Sequence, residues 1–98
     1  MKRKFILVDI DGVLCTGICW TSKDVAKAKP IQKTINRVNR LYRQNFIVIY
    51  TARRDHLIAA TLRWLRMNGI QFHAFSNNKC AADIYIDDHN AKGRWWNV

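Results

Sequence analysis

Apolar residues in this chain occur in short continuous runs. Residues 4–10 form the first run, which is rich in β-branched side chains and ends in acid. Such a run is typical of a strand buried on both faces of a parallel sheet. A second run covers residues 46–50, and two further runs cover 70–75 and 82–86. The pattern therefore predicts four strands.

Two stretches between these strands have the spacing of amphipathic helices. The first covers residues 30–45 and opens on a proline, which suits the first turn of a helix. Its apolar positions are Ile31, Ile35, Val38 and Tyr42. A second helix is expected to be capped by Asp55 and to end at Asn68 and Gly69. Residues 12–29 have an irregular pattern, which predicts a loop or small flap.

The predicted order is strand, helix, strand, helix, strand, strand. Such alternation implies right-handed crossovers and a mainly parallel sheet. We therefore predict an α/β fold, a small three-layer Rossmann-like sheet that residues 1–98 form as a single domain without repeats or linkers. Because only ten residues follow Asp88, we expect the sheet to be truncated on that side.

Charge and composition narrow the class of protein. The chain has 17 Lys and Arg against seven acids, all of them Asp, and a net charge of +10. The positive electrostatic potential of such a chain attracts phosphorylated small molecules and nucleic acid alike. No apolar run approaches the roughly 20 residues that cross a bilayer, and the three cysteines lack the paired spacing of a zinc site. We expect a soluble cytoplasmic protein with no membrane partner, and leave the oligomeric state open, a homo-oligomer included.

Four of the seven acids form two pairs at the ends of apolar runs, Asp9 with Asp11 and Asp87 with Asp88. The carboxyl ends of parallel strands meet at one edge of a sheet, so both pairs and Thr51, which follows the second strand, should converge on one crevice. Clustered carboxylates repel one another unless a cation lies between them. Because hard oxygen ligands suit Mg²⁺, the sequence predicts a magnesium site.

The same residue types form the parts of a site for phosphoryl transfer. An aspartate nucleophile forms an aspartyl phosphate, which divides one difficult displacement into two easier ones. A second carboxyl group protonates the leaving oxygen and later deprotonates the attacking water. A hydroxyl and an ammonium group stabilise the charge on the transferring phosphoryl group. We therefore predict a phosphomonoester hydrolase.

The run of Asp-Ile-Asp-Gly-Val that starts at Asp9 resembles the first motif of the haloacid dehalogenase-like (HAD) superfamily of aspartyl-phosphate hydrolases. The resemblance implies that Asp9 is the nucleophile and that Asp11 is the acid/base, with its backbone carbonyl also on the metal. Thr51 matches the second motif and is expected to hold a phosphate oxygen, and Lys79 is the best match to the third. The presence of Asp11 favours a phosphatase over a dehalogenase.

The resemblance extends to the end of the chain and to the substrate side of the site. Asp87 and Asp88 match the fourth motif, whose acids anchor magnesium directly or through water. Gly12 and Arg53 are expected to bind substrate, and Arg53 has the alternative of a solvated surface side chain. The segments Ala28-Lys-Pro30 and Tyr50-Thr-Ala-Arg53, with residues 82–88, look like those of the small capless bacterial and phage members of the superfamily, and neither usual insertion point has room for a cap domain.

Two alternatives remain open. The basic surface and the open site also suit a polynucleotide 3′-phosphatase that acts on nucleic-acid ends. The stripe of Lys33, Arg37 and Arg40 on the first helix has no glutamate to pair with, which also allows a non-catalytic basic module that binds phosphate or nucleic acid. Asp11 argues against the binding module, because a second carboxylate facing phosphate adds only repulsion.

Overall fold

The computed structural model describes residues 3–17, 19, 21–78 and 81–87. In chain order the elements are β1 (Phe5–Asp9), α1 (Ser22–Lys27), α2 (Gln32–Tyr42), β2 (Phe46–Tyr50), α3 (Ile58–Met67), β3 (Ala74–Ser76) and β4 (Ile84–Ile86). A short 3-10 turn, Asp55–Leu57, leads into α3. The predicted alternation of strands and helices is confirmed, with one helix more than expected.

The four described strands form one parallel sheet in the order β3-β2-β1-β4. β1 pairs with β2 along its whole length and ends with Asp9 opposite Tyr50. On its other side β1 pairs with β4, and Val8 lies opposite Ile86. The protein is therefore a small Rossmann-like α/β fold, as predicted.

The main core lies between one face of the sheet and the helices. Alternate residues of the two central strands are fully buried on this face: Ile6, Val8, Ile47 and Ile49. The helices contribute Val25, Ile35, Val38, Trp64 and Leu65. Burial of each large aliphatic side chain stabilises the fold by about 1.5–3 kcal/mol. The continuous apolar runs of β1 and β2 thus anchor the strands whose ends carry the candidate site.

The helices α2 and α3 lie side by side on that face. Both connections, from β1 to β2 and from β2 to β3, step across the sheet in the same direction, so right-handed crossovers place both helices on one face. The side chain of Asn39 in α2 donates to the carbonyl of Gly69 at 2.9 Å and accepts from the amide of Gln71 at 2.8 Å. The described helices therefore form one layer on this face of the sheet.

The segment predicted as a loop or flap contains α1, so that expectation is wrong for Ser22–Lys27. A capping box starts this helix: the Thr21 hydroxyl accepts from the amide of Asp24 at 3.2 Å, and the Asp24 carboxylate accepts from the amide of Thr21 at 3.0 Å. These bonds satisfy amides that a helix start leaves unpaired. Because Val25 is the one buried residue of α1, the helix leaves no apolar periodicity in the sequence.

The second predicted helix starts differently from expectation. Asp55 does not cap it, because this residue lies in the 3-10 turn and its carboxylate accepts from the side-chain amide of Asn77 at 3.0 Å. Its end is confirmed, since α3 stops at Met67 and Gly69 takes the positive φ of 69° that favours glycine after a helix.

The outer strands are shorter than predicted. β3 begins at Ala74, because Ile70 packs into the core directly after α3 rather than pairing in the sheet. β4 begins at Ile84, and Asp83 before it exchanges backbone and side-chain hydrogen bonds with Phe5 at the amino edge of the sheet. The apolar runs therefore located both strands but placed their starts too early.

The connections after β1 and β2 consist mainly of helices. The first holds α1 and α2, and the second holds the 3-10 turn and α3, with no further domain inserted among the described residues. In the part of the chain that the structure describes, no helix has the length and apolar character to cross a bilayer.

Candidate functional site

Asp9 and Asp87 lie side by side at the carboxyl edge of the sheet. Asp9 ends β1, and Asp87 follows Ile86, which is paired with Val8 in the neighbouring strand. The two acids line one small cavity of about 30 Å³, which also contacts Tyr50. A cavity needs roughly 10–15 Å³ to hold one water, so this space suits a small ion or one or two waters. The structure thus brings together the first and last acidic segments, as the sequence predicted.

A tight turn follows Asp9 and directs the second acid of the motif. The Asp9 carboxylate accepts from the amide of Ile10 at 2.8 Å, and the Ile10 carbonyl accepts from the amide of Leu14 at 2.8 Å. Gly12 takes a φ of 80°, a left-handed conformation that glycine adopts without strain. Its amide donates to the backbone carbonyl of Cys15 at 2.9 Å. Asp11 therefore projects from a turn fixed by backbone hydrogen bonds.

Arg53 lies beneath this turn with its side chain only 3% exposed. Its Nη2 donates to Oδ1 of Asp11 at 2.7 Å, and its Nε donates to Oδ2 of the same carboxylate at 3.2 Å. Its Nη1 donates to the hydroxyl of Thr61 in α3 at 3.0 Å. The alternative of a solvated surface arginine is wrong for Arg53, because Asp11 and Thr61 together provide the partners that a buried guanidinium requires.

Two buried cysteines complete the surroundings of the guanidinium. Nη2 of Arg53 lies 3.6 Å from Sγ of Cys15 and 3.4 Å from Sγ of Cys19. Burial, and next the charge of Asp11, raises the pKa of Cys15 to about 12, and burial also raises the pKa of Cys19. Because the thiolate is the reactive form, neither thiol competes with the carboxylates as a nucleophile at neutral pH.

The charge of Arg53 persists despite its burial. Burial lowers the pKa of this guanidinium, but the hydrogen bonds and the charge of Asp11 outweigh burial and raise it above its ordinary value. The guanidinium of Arg53 therefore stays charged at neutral pH.

Thr51 follows β2 and has no exposed surface. Its hydroxyl oxygen accepts from the amide of Arg53 at 3.1 Å, and its own amide donates to the carbonyl of Ser76 at 3.1 Å. The residue lies at the expected edge of the sheet. Contact between its hydroxyl and a phosphate stays a prediction, and requires the hydroxyl to become accessible.

A second cavity, of about 230 Å³, opens beside Asp11. Its lining consists of Asp11, Cys19, Ala52, Arg53, Arg54, His56 and Leu57. Arg54 and His56 are exposed and give this cavity a basic rim, whereas Leu57 gives it an apolar wall. The sequence analysis did not predict roles for His56 or Thr61. The signal available for His56 was its position three residues after the arginine that contacts the acid/base candidate.

Two predicted site residues, Lys79 and Asp88, lie outside the described residues. Among the residues that are described, no group of three or more His, Cys, Asp or Glu side chains is close enough to hold a metal ion. Tyr50 and Tyr85 line the small cavity, as do two side chains that carry carboxylates, Asp9 and Asp87. This donor set is hard and anionic, which fits Mg²⁺, an ion that keeps several waters and takes one or two carboxylates from the protein.

These features define a small Rossmann-like α/β protein whose acidic residues meet at the carboxyl edge of a parallel sheet. No protein-family model matches the chain, and no curated protein matches it significantly. The fold is similar to the solved structure of a conserved protein from Bacteroides thetaiotaomicron, with a TM-score of 0.73 and 21% sequence identity over 98% of this chain and 85% of that chain. At this identity the likeness shows the fold alone.

Proposed function

We propose that the protein is a magnesium-dependent phosphomonoester hydrolase that works through an aspartyl phosphate on Asp9. The observation that carries the proposal is the placement of Asp9 and Asp87 on neighbouring parallel strands, lining one cavity. Two carboxylates this close repel each other and a phosphate dianion unless a cation offsets their charge. The resemblance of the Asp9 motif to the first HAD motif supports the same chemistry.

Asp9, Asp87 and the backbone carbonyl of Asp11 are the groups that would hold the magnesium ion, with Asp88 as a further candidate. When bound, the ion offsets the repulsion between these carboxylates and the phosphate and withdraws charge from the transferring phosphoryl group. Asp9 is suited to a fixed role, since its carboxylate is already oriented by the amide of Ile10.

The chain's own residues carry the two displacements. A carboxylate oxygen of Asp9 attacks phosphorus, the bond from phosphorus to the leaving oxygen breaks, and Asp11, protonated at this stage, donates its proton to that oxygen. In the second step Asp11 takes a proton from water as the water attacks phosphorus, and the Asp9 carboxylate is released with inorganic phosphate. Lys79 is proposed to balance charge on the phosphoryl group.

The leaving group is proposed to lie in the cavity of about 230 Å³, because Asp11 lines that cavity. A proton donor must lie within hydrogen-bonding distance of the leaving oxygen. Arg54 and His56 at the rim favour a leaving group with a second anionic group, and the wall formed by Leu57 accepts its carbon atoms. The substrate class is therefore a phosphorylated small molecule.

The exposed basic residues of α2 support a second substrate class. Lys33 and Arg40 are exposed, and the chain carries a net charge of +10. A 3′-phosphorylated strand could approach this surface, because the described connections carry no cap over the edge of the sheet. Hydrolysis of such a strand should fall steeply with added salt, whereas hydrolysis of a small phosphate ester should not.

The test is release of inorganic phosphate from an aryl phosphate, sugar phosphates, nucleotides and 3′-phosphorylated oligonucleotides, with magnesium and with EDTA. Replacement of the nucleophile in Asp9→Asn should lower kcat by at least about 10⁴-fold, since the covalent route is lost. Asp83→Asn is the matched control, because Asp83 is exposed at the opposite edge of the sheet.

The control variant should retain wild-type turnover. Unchanged turnover in Asp9→Asn would refute the assignment of the nucleophile. Nucleic-acid affinity that is indifferent to Asp9, without hydrolysis of any ester, would instead support the non-catalytic binding module.

A further inference from the structure

The guanidinium of Arg53 is a buried charge that makes several side-chain hydrogen bonds. It makes two hydrogen bonds to the Asp11 carboxylate and a third to the Thr61 hydroxyl. Burial of a charged group is costly unless it is paired and hydrogen-bonded, so each of these partners offsets part of that cost. The two bonds to Asp11 also restrict the orientation of its carboxylate.

A residue of α3, Thr61, fixes the position of the Arg53 guanidinium. The Thr61 hydroxyl donates to the carbonyl of Leu57 at 2.7 Å, which turns its oxygen lone pairs towards Nη1 of Arg53. Because the hydroxyl has a single hydrogen, this donation fixes its orientation and leaves it as an acceptor for Arg53. Arg53 is therefore anchored to α3 before it reaches Asp11.

The fork of Arg53 leaves Asp11 partly free for chemistry. A carboxylate offers about four lone-pair positions; the two bonds from Nε and Nη2 of Arg53 occupy two of them, and the Cys15 thiol donates to Oδ1 from 3.8 Å. The Asp11 side chain is 29% exposed, on the side that lines the larger cavity. The remaining positions therefore face the space where the leaving group is proposed to lie.

We propose that Arg53 is a positioning residue, which holds the plane of the Asp11 carboxyl group so that the oxygen position carrying the exchanged proton faces the leaving oxygen. This role replaces the expected direct contact between Arg53 and substrate, and it rests on the proposed function. Arginine suits the task because its planar fork matches a carboxylate at two points, whereas lysine offers a single point charge. A misplacement of about 1 Å in such a group can cost on the order of 100-fold in rate.

The competing explanation is a purely structural pair that ties the loop after β1 to the loop after β2. The two explanations differ in a double-mutant cycle of activity. If Arg53 acts through Asp11, its loss has no further effect on turnover once Asp11 cannot exchange a proton. If Arg53 contacts substrate directly, the two losses add, and if the pair only ties the two loops together, Arg53→Gln lowers stability without lowering the kcat of the folded enzyme.

The experiment measures kcat and KM for a phosphate ester in Arg53→Gln, Asp11→Asn and the double variant. Arg53→Gln should lower kcat by about 100-fold with KM changed by less than about twofold. In the Asp11→Asn background the same change should cost less than about twofold. Arg66→Gln is the matched control, because Arg66 is an exposed arginine of α3, and it should leave both constants unchanged.

Two further variants keep the test decisive if Arg53→Gln does not fold. Arg53→Lys retains the charge but not the fork, so it should restore folding without restoring kcat. Thr61→Val removes the anchor of Nη1 and should lower kcat several-fold with KM unchanged. Full turnover in both would overturn the positioning role.

A readout independent of activity is the Nε–H resonance of Arg53 in ¹H–¹⁵N spectra. It should be protected from exchange with D₂O in the wild type, lose that protection in Asp11→Asn and keep it in Arg66→Gln. Additive losses in an active enzyme overturn the positioning role alone. A wild type that hydrolyses no phosphate ester defeats the proposed function, and the positioning role with it.

Discussion

The end of β1 and the turn that follows it hold their carboxylates in different ways, although Asp9 and Asp11 are two residues apart. Asp9 ends a fully paired central strand, and strand register places Asp87 beside it. Asp11 depends instead on a side chain 42 positions away, the guanidinium of Arg53. Sheet topology therefore builds the proposed metal and nucleophile region, whereas one ion pair builds the proposed acid/base region.

Removal of the Asp11 charge should affect both activity and stability. Asp11→Asn should lower kcat by about 10²–10⁴-fold, because both proton transfers lose their carrier, and phosphate binding should be largely retained. It should also destabilise the fold by about 3 kcal/mol, since Arg53 remains buried without a counter-charge. Steady-state kinetics and urea unfolding measure the two effects.

Asp9→Asn is the natural comparison, because the amide of Ile10, which donates to the Asp9 carboxylate, can donate equally well to the side-chain carbonyl of an asparagine. A larger loss of stability in Asp9→Asn than in Asp11→Asn would contradict the difference between the two regions.

Asp87→Asn tests the region built by topology. We expect the magnesium concentration for half-maximal activity to rise by about 10–100-fold, the range typical for loss of a group that supports a bound metal. A magnesium titration of turnover measures the shift. Saturating magnesium should recover much of the activity, in contrast to Asp9→Asn, and an unaltered magnesium requirement would remove Asp87 from the metal site.

Arg54→Gln should give the smallest effect. It tests whether the leaving-group cavity prefers an anionic leaving group. Because Arg54 is exposed, loss of its charge should raise KM about threefold for esters whose leaving group is anionic, with kcat unchanged. KM for a neutral aryl leaving group should stay the same. An equal change for both substrates would mean that the cavity rim does not select for charge.

The parts of the fold that were predictable are those fixed by local pattern. The continuous apolar runs located β1 and β2, and with them the strand ends that carry Asp9 and Thr51. The helix α1 was missed because it buries one side chain. Its start had a signal nonetheless, a threonine three residues before an aspartate, which matches the spacing of a capping box.

In the candidate site, too, the predictable part is the part that strand topology determines. The convergence of Asp9 and Asp87 follows from parallel strands and was expected. The burial of Arg53 was not, because it depends on Thr61 and on the approach of the Asp11 turn, which no local pattern encodes. The scarcity of acids in a basic chain was the available hint, since each carboxylate has many cations that could pair with it.

The ion pair between the loops after β1 and β2 also constrains how this chain can diverge. A descendant that changed Asp11 alone would keep a stranded cation inside the protein, and one that changed Arg53 alone would release the carboxylate from its fixed plane. Among relatives of this protein, the two positions should therefore be inherited as a unit, retained together or replaced together by an uncharged couple.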